Sequence, residues 1–335
     1  MEDLNIRIQG RAGRITLTRE KALNALNHDM ALAVLAALSD WRDDPSVDLV
    51  IMDAAGDRAF CAGGDIAAVY HAGRAGDHQV GRDFFRDEYL MNAAIADFPK
   101  PVVAFMQGFV MGGGVGLGGH ASHRIVGDTT RIAMPESGIG LIPDVGGTWL
   151  LGRAPGRIGE YLALTGARMG PGDAIHAGFA DTYLPEAEWP ALIAELEETG
   201  DIHRIKGAKP PAAPLADRDL SAFGGRNVAD ILDAVTAAGD DDSLTAMRRN
   251  SPLSMAAGLA MVRAARGDRR IQESLGREYR FTARATESTD FLEGVRAQII
   301  DKDRSPKWAA DASPRAVQAL LAPLGGNDMT WENAE

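Results

Sequence analysis

Two carboxylates, Glu136 and Asp144, stand eight residues apart in the segment MPESGIGLIPDVGG at 134–147, among the apolar residues Ile139, Leu141, Ile142 and Val145 and just ahead of a Gly-Gly pair. An ordinary Glu or Asp is solvated at the surface, but acids held in apolar surroundings have perturbed pKa values and suit general acid–base or nucleophilic work. The apolar neighbours favour a shaped pocket here. Two glycine-rich segments offer a complementary group, a backbone N–H aimed at a developing negative charge. In CAGGDI at 61–66, Gly63 and Gly64 precede an Asp able to cap a helix, so the chain can turn sharply with its amides outward; the same residues also make an ordinary tight loop. In MGGGVGLGG at 111–119, a triple glycine at a helix start brings N–H groups and the positive end of a helix dipole toward a ligand oxygen. Residues 114–119 also match G-x-G-x-x-G, a dinucleotide-binding pattern, although such a fingerprint usually closes the first strand of a βαβ unit and this one lies over 100 residues into the chain. Finally, Phe84, Glu88, Met91, Ile95 and Phe98 share one helical face. Glu88 in that stripe either escapes at a helix edge or serves a polar ligand in the core.

Other chemistries lack their signals. No G-x-S-x-G elbow and no phosphate-loop lysine motif occurs. His120 and His123 are spaced to share a helix face, but no second cluster of metal ligands accompanies them. The single cysteine, Cys61, excludes an internal disulfide framework and suits a reducing, cytoplasmic setting. A net charge of −12 argues against nucleic acid or a membrane surface as partner. Apolar runs such as 31–38 are far shorter than a bilayer span, and the N-terminus lacks the basic and apolar regions of a secretion signal.

The elements that must position these groups alternate between strand and helix through the first third, which indicates an α/β fold. Ile6, Ile8, Ile15 and Leu17 alternate around GRAGR as in a hairpin. Asn27 is placed to cap a helix whose stripe is Met30, Val34, Leu35, Leu38 and Trp41. The runs 47–52 and 102–106 read as buried strands and 124–126 and 131–134 as further short ones, while the polar stretch HAGRAGDHQVGRD at 71–83 is expected to be mobile. From about residue 156 the pattern turns helical, and proline-rich 207–218 reads as a linker. Beyond it Ser251-Pro252 opens one helix, Ile271, Leu275 and Tyr279 mark a second, and Asp290 could cap a third. The last ten residues are expected to fray.

Taken together these segments resemble the crotonase (enoyl-CoA hydratase/isomerase) superfamily, whose members bind acyl-CoA thioesters. The residues that carry the resemblance are KALNAL at 21–26, AFCAGGDI at 59–66, EYLMN at 88–92, MGGGVGL at 111–117, AMPESGIGLIPDVGG at 133–147 and FLEGVRAQIIDKDRSPKW at 291–308, which span nearly the whole chain. The resemblance implies a ββα spiral core at 1–205 that binds acyl-CoA, with a C-terminal helical region at 206–335 completing the CoA site. It implies Gly64 and Gly113 as the two amides of an oxyanion hole, Glu136 and Asp144 as catalytic acids, and Glu88, Lys21, Ala22, Ala62, Asp65, Ile66 and Gly112 as substrate-binding residues. Within the superfamily the hydratases carry a second catalytic Glu where this chain has Gly116. The implied activity is therefore that of the branch that hydrolyses 3-hydroxyacyl-CoA thioesters, with 3-hydroxyisobutyryl-CoA, an intermediate of valine catabolism, as the expected substrate. Glu136 would act as nucleophile or as base for water, and Asp144 would hold the substrate's 3-hydroxyl. No metal or redox cofactor is expected, CoA being part of the substrate; Arg19, Lys21, Lys302 and Arg304 are candidates for its phosphates, and a homo-oligomer is compatible with the pattern. The alternatives are an enoyl-CoA hydratase or isomerase and, more remotely, a dinucleotide-binding protein.

Overall fold

A computed structural model describes residues 2–331. The chain divides into two compact units, each built from three stretches: Met1–Gly64, Leu90–Ala133 and Arg168–Asp217 form the first, and Asp65–Tyr89, Met134–Ala167 and Arg218–Glu335 the second. A division in three stretches was not visible in the sequence, where the proline-rich segment suggested one boundary near residue 205. That segment instead ends where the chain enters the second unit for the last time, at Arg218.

Among the described residues the first unit holds nine strands in two sheets: β1 (Leu4–Gln9), β2 (Ala12–Leu17), β3 (Leu49–Ala54), β4 (Ala59–Cys61), β5 (Val102–Met106), β6 (Phe109–Met111), β7 (His123–Val126), β8 (Arg131–Ala133) and β9 (Thr182–Tyr183). The six-stranded sheet has the order β1-β2-β3-β5-β7-β9 and the three-stranded sheet the order β4-β6-β8. Among the strand pairs of the described residues, only the expected hairpin β1–β2 is antiparallel, with Ile6 opposite Ile15. The remaining ladders are parallel, as between Val50 and Val102 or Val103 and His123. Gly10 closes the hairpin at φ +58°, and a Cβ there would lie 2.0 Å from the Glu197 carbonyl oxygen. Strand β5 is buried along its whole length, as expected of an apolar strand in a parallel sheet.

Three strand pairs, β3–β4, β5–β6 and β7–β8, give their first strand to the larger sheet and their second to the smaller, and a helix or helical turn follows each. The candidate groups Gly64, Gly113 and Glu136 come within three residues of the ends of β4, β6 and β8. The large sheet is covered by the helix Trp189–Thr199, whose Trp189, Leu192, Ile193 and Leu196 close a core with Leu49, Ile51, Val103, Phe105 and Ile125. The Trp189 indole lies 5.4 Å from the Phe105 ring and donates to the Leu184 carbonyl. The helix His28–Trp41 begins as expected, with Asn27 Oδ1 accepting from the Met30 N–H at 2.8 Å.

The second unit is helical. Ser251 caps Pro252–Ala265, which packs on Gly147–Arg153 and Ile158–Thr165 and buries Leu253, Met255, Leu259, Met261 and Val262. Glu160, fully buried, is paired with Arg157 at 2.9 Å and Arg266 at 2.7 Å. Three local expectations change. The stretch 71–83, expected to be mobile, lies in the helices Ala67–Arg74 and Gln79–Ala96 and the short turn between them. Its polar side chains are satisfied by tertiary partners: His78 Nδ1 lies 2.9 Å from Thr286 Oγ1, and Arg82 donates to the Ala283 carbonyl and pairs with Glu287. Asp290 precedes the helix Phe291–Val295 but does not cap it with its side chain. Its carboxylate accepts instead from the Ser251 hydroxyl and from the N–H groups of Ala309 and Ala310. Near the C-terminus a turn at Gly325–Asn327 is held by Asp328, which accepts from Leu324 N–H and Arg280, so 325–328 are not frayed; 332–335 lie outside the described residues.

Candidate active site

In the first unit the two glycine loops leave neighbouring parallel strands. Residues 62–64 follow β4 and residues 112–113 follow β6, and β4 and β6 are hydrogen-bonded neighbours. Gly63 sits at φ +119°, beyond the easy reach of an L side chain, and its carbonyl accepts from Leu26 N–H at 2.9 Å. Ala62 N–H donates to Leu23, so the 21–26 segment braces the loop from the other side. Gly112 turns the chain at φ +48°, and Gly113 opens the helix Gly113–Gly118, where a first-turn N–H has no acceptor within the helix. Gly114 has no room for a side chain, because a Cβ there would lie 2.1 Å from the Cys61 carbonyl oxygen. This helix spans six residues and follows a strand of the small sheet, not the opening strand of a nucleotide-binding unit. Lys21 and Ala22 lie exposed in the turn Glu20–Ala22. The Arg19 guanidinium is turned inward, donating to Ala25 O and lying 3.4 Å from Asp3.

Among the described residues of the second unit, Glu88, Glu136, Asp144 and Glu278 are buried carboxyl groups that form no ion pair, as is Asp290, whose oxygens are taken by Ser251, Ala309 and Ala310. Glu136 starts the helical turn Glu136–Ile139, which Gly140 ends at φ +72°. The turn is anchored on both sides, because Ser251 N–H donates to Ser137 O and Leu141 N–H to Glu136 O. Glu136 Oε2 and Glu88 Oε1 are buried with no hydrogen-bond partner. Glu88 is 2 % exposed and does not escape at a helix edge. Burial, reinforced by the Asp144 charge, pushes both Glu88 and Glu136 well above the usual carboxylate range. Asp144 accepts from the Tyr89 hydroxyl at 2.8 Å, and burial raises it to about 7 against that bond. Glu278 is likewise raised to about 7 by burial, opposed by its bonds to Thr148 and Gly146. Acids of this kind are protonated or poised near neutrality and can hold, donate or accept a proton at pH 7.

Of the remaining positions in the second unit, Asp65 and the buried Ile66 lead into the helix Ala67–Arg74. Lys302 and Arg304 are exposed in the 301–308 segment, both in left-handed backbone at φ +58° and +55°. Arg296 orders that segment by pairing with Asp301 and Asp303. Sequence reasoning missed Tyr89, Thr148 and Glu278. The rule that found Glu88 applies equally to Glu278, which interrupts the Ile271, Leu275, Tyr279 face of its helix. Among the described residues no group of three or more His, Cys, Asp or Glu is placed to hold a metal ion. Nor is any described helix long and apolar enough to cross a membrane.

Residues 12–321 match a family described as enoyl-CoA hydratase/isomerase, and the chain belongs to that family. Two structures that resemble it nearly throughout carry the crotonase fold: one described as an enoyl-CoA hydratase from Rhodobacter sphaeroides 2.4.1, 55% identical with a TM-score of 0.94 over 98% of this chain and 99% of that one, and one described as a carnitinyl-CoA dehydratase from Mycobacterium thermoresistibile, 40% identical with a TM-score of 0.93 over 99% of each. Among characterised sequences the chain is similar to the mitochondrial 3-hydroxyisobutyryl-CoA hydrolases of Xenopus tropicalis, 38% identical over 96% of this chain and 89% of that protein, and Homo sapiens, 36% identical over 98% and 91%. The α/β fold with a helical C-terminal region is thus established, as is membership in a family of CoA-thioester enzymes.

Proposed function

We propose that this enzyme hydrolyses a 3-hydroxyacyl-CoA thioester, with 3-hydroxyisobutyryl-CoA as its substrate. The observation that carries the reading is the acid set: Gly116 stands where the superfamily's hydratases place a second catalytic Glu, while Asp144 supplies a buried carboxylate eight residues beyond Glu136. The near-full-length likeness to 3-hydroxyisobutyryl-CoA hydrolases supports it. Hydrolysis adds water across the carbonyl–sulfur bond, giving the free acid and CoA thiol. Negative charge develops on the carbonyl oxygen, and the Gly64 and Gly113 N–H groups stabilise it more in the transition state than in the ground state. Glu136 acts on the carbonyl carbon, either by forming an anhydride that water then cleaves or by taking the proton of an attacking water. Asp144, held by Tyr89, accepts a hydrogen bond from the 3-hydroxyl. Lys302 and Arg304 serve the CoA phosphates.

The test is a cycle of wild type and Asp144→Ala against 3-hydroxyisobutyryl-CoA and isobutyryl-CoA, read as kcat/KM. A charge-assisted bond to the hydroxyl is worth on the order of 1.5 to 3 kcal/mol, or roughly 10- to 100-fold, and the substitution should remove that preference. An equal loss on both substrates would contradict the role. The second reading, a hydratase, draws on the description of the 55% identical Rhodobacter sphaeroides structure and predicts hydration of an enoyl-CoA.

A further inference from the structure

The mechanism above uses Asp144 but leaves unexplained why a buried acid, Glu278, points no oxygen at any cation. Both of its oxygens are spent on the loop that follows Asp144. Oε2 accepts from Gly146 N–H at 2.8 Å, and Oε1 accepts from Thr148 N–H at 3.0 Å and from the Thr148 hydroxyl. The two residues after Asp144 are left-handed, Val145 at φ +52° and Gly146 at φ +76°. For a β-branched residue that conformation is strained and persists only when its surroundings impose it. The turn closes on itself through Gly147 N–H donating to Asp144 O at 2.6 Å, so Asp144 cannot keep its direction if the turn relaxes. Thr282, one helical turn beyond Glu278, lies 3.3 Å from the Tyr89 hydroxyl, whose proton goes to Asp144 Oδ2. One face of the helix Ile271–Thr282 therefore braces both the backbone and the carboxylate of Asp144.

We propose that Glu278 is a positioning residue for substrate selection: it clamps the strained 145–148 turn and so aims Asp144 at the acyl hydroxyl. The inference rests on the reading of Asp144 given above. A Gln at 278 keeps one acceptor oxygen but turns an NH2 toward the remaining N–H donors, so the clamp is half lost while bulk is kept.

The ratio of kcat/KM for 3-hydroxyisobutyryl-CoA to that for isobutyryl-CoA is measured in wild type, Asp144→Ala, Glu278→Gln, the double variant and Thr148→Val, which removes only the hydroxyl donor to Glu278. Glu278→Gln is expected to lower the ratio about tenfold while thiol release from isobutyryl-CoA stays within about threefold of wild type. The double variant should show a ratio no lower than Asp144→Ala alone, since the two residues act as one unit. Thr148→Val should fall between, and it decides the matter if Glu278→Gln does not fold. A ratio sensitive to Asp144→Ala but unchanged in Glu278→Gln or Thr148→Val, or an equal loss on both substrates, overturns the inference and leaves Glu278 a structural cap of the helix Gly147–Arg153. A ratio unmoved by Asp144→Ala itself overturns the hydroxyl reading instead.

Discussion

Replacing Asp144 with Asn should make the protein more stable above neutral pH, and by an amount that depends on pH in a defined direction. The unfolded carboxyl ionises near 3.8 and the folded one near 7, because burial opposes the charge. Between those values the folded state holds a proton that the unfolded state has lost, so stability is highest below pH 4 and falls as pH rises toward 7. The difference of about three pH units corresponds to on the order of 4 kcal/mol at about 1.4 kcal/mol per unit. Asn removes the titration and keeps the carbonyl oxygen that Tyr89 donates to, but its NH2 is a buried donor without an established acceptor, which costs about 1 to 3 kcal/mol. A net gain of about 1 to 3 kcal/mol at pH 8, or a few degrees in Tm, follows. It should shrink or reverse at pH 5, where the wild-type acid is neutral. Thermal melts of both proteins at pH 5, 6.5 and 8 measure it. A Tm difference that is the same at pH 5 and pH 8 would refute the claim that Asp144 carries a buried charge.

Three further outcomes are expected. Glu136→Gln should abolish nearly all turnover while leaving CoA-thioester binding, read by thermal shift, largely intact; residual activity within tenfold of wild type would remove Glu136 from the chemistry. Gly114→Ala places a Cβ 2.1 Å from the Cys61 carbonyl oxygen and should cost about 3 kcal/mol or more, seen as a large fall in Tm or loss of soluble protein. Acyl-CoA should raise Tm by mass action, whereas NAD and NADP should show no saturable binding in calorimetry; the reverse would make the 114–119 glycine pattern a dinucleotide site.

What the sequence made legible was local. The β1–β2 hairpin, the Asn27 cap, the apolar strands β3 and β5 and the Ser251-Pro252 helix start each rest on a few neighbouring residues, and each is present. The polar 71–83 stretch was not legible as helix because its stability comes from Thr286, Ala283 and Glu287, some 200 residues away. Strand β9 is two residues long and gains its place only by pairing with β7. The partition of each strand pair between two sheets leaves no periodic trace, and neither does the three-stretch division of the units. The acids Glu136 and Asp144 could be singled out from apolar neighbours, but the partners that aim Asp144, Tyr89 and the Glu278 clamp, are contributed by distant helices and appear only when the chain is folded.

The central claim is that one buried acid is missing for hydration and another is present for a hydroxyacyl thioester. The most direct measurement is free-thiol release from 3-hydroxyisobutyryl-CoA beside hydration of crotonyl-CoA, with one enzyme preparation at one pH. The account predicts thiol release faster by at least about a hundredfold in kcat/KM, because Gly116 offers no carboxylate to the water that hydration must activate. Hydration at a comparable or greater rate would contradict it and make this chain a hydratase.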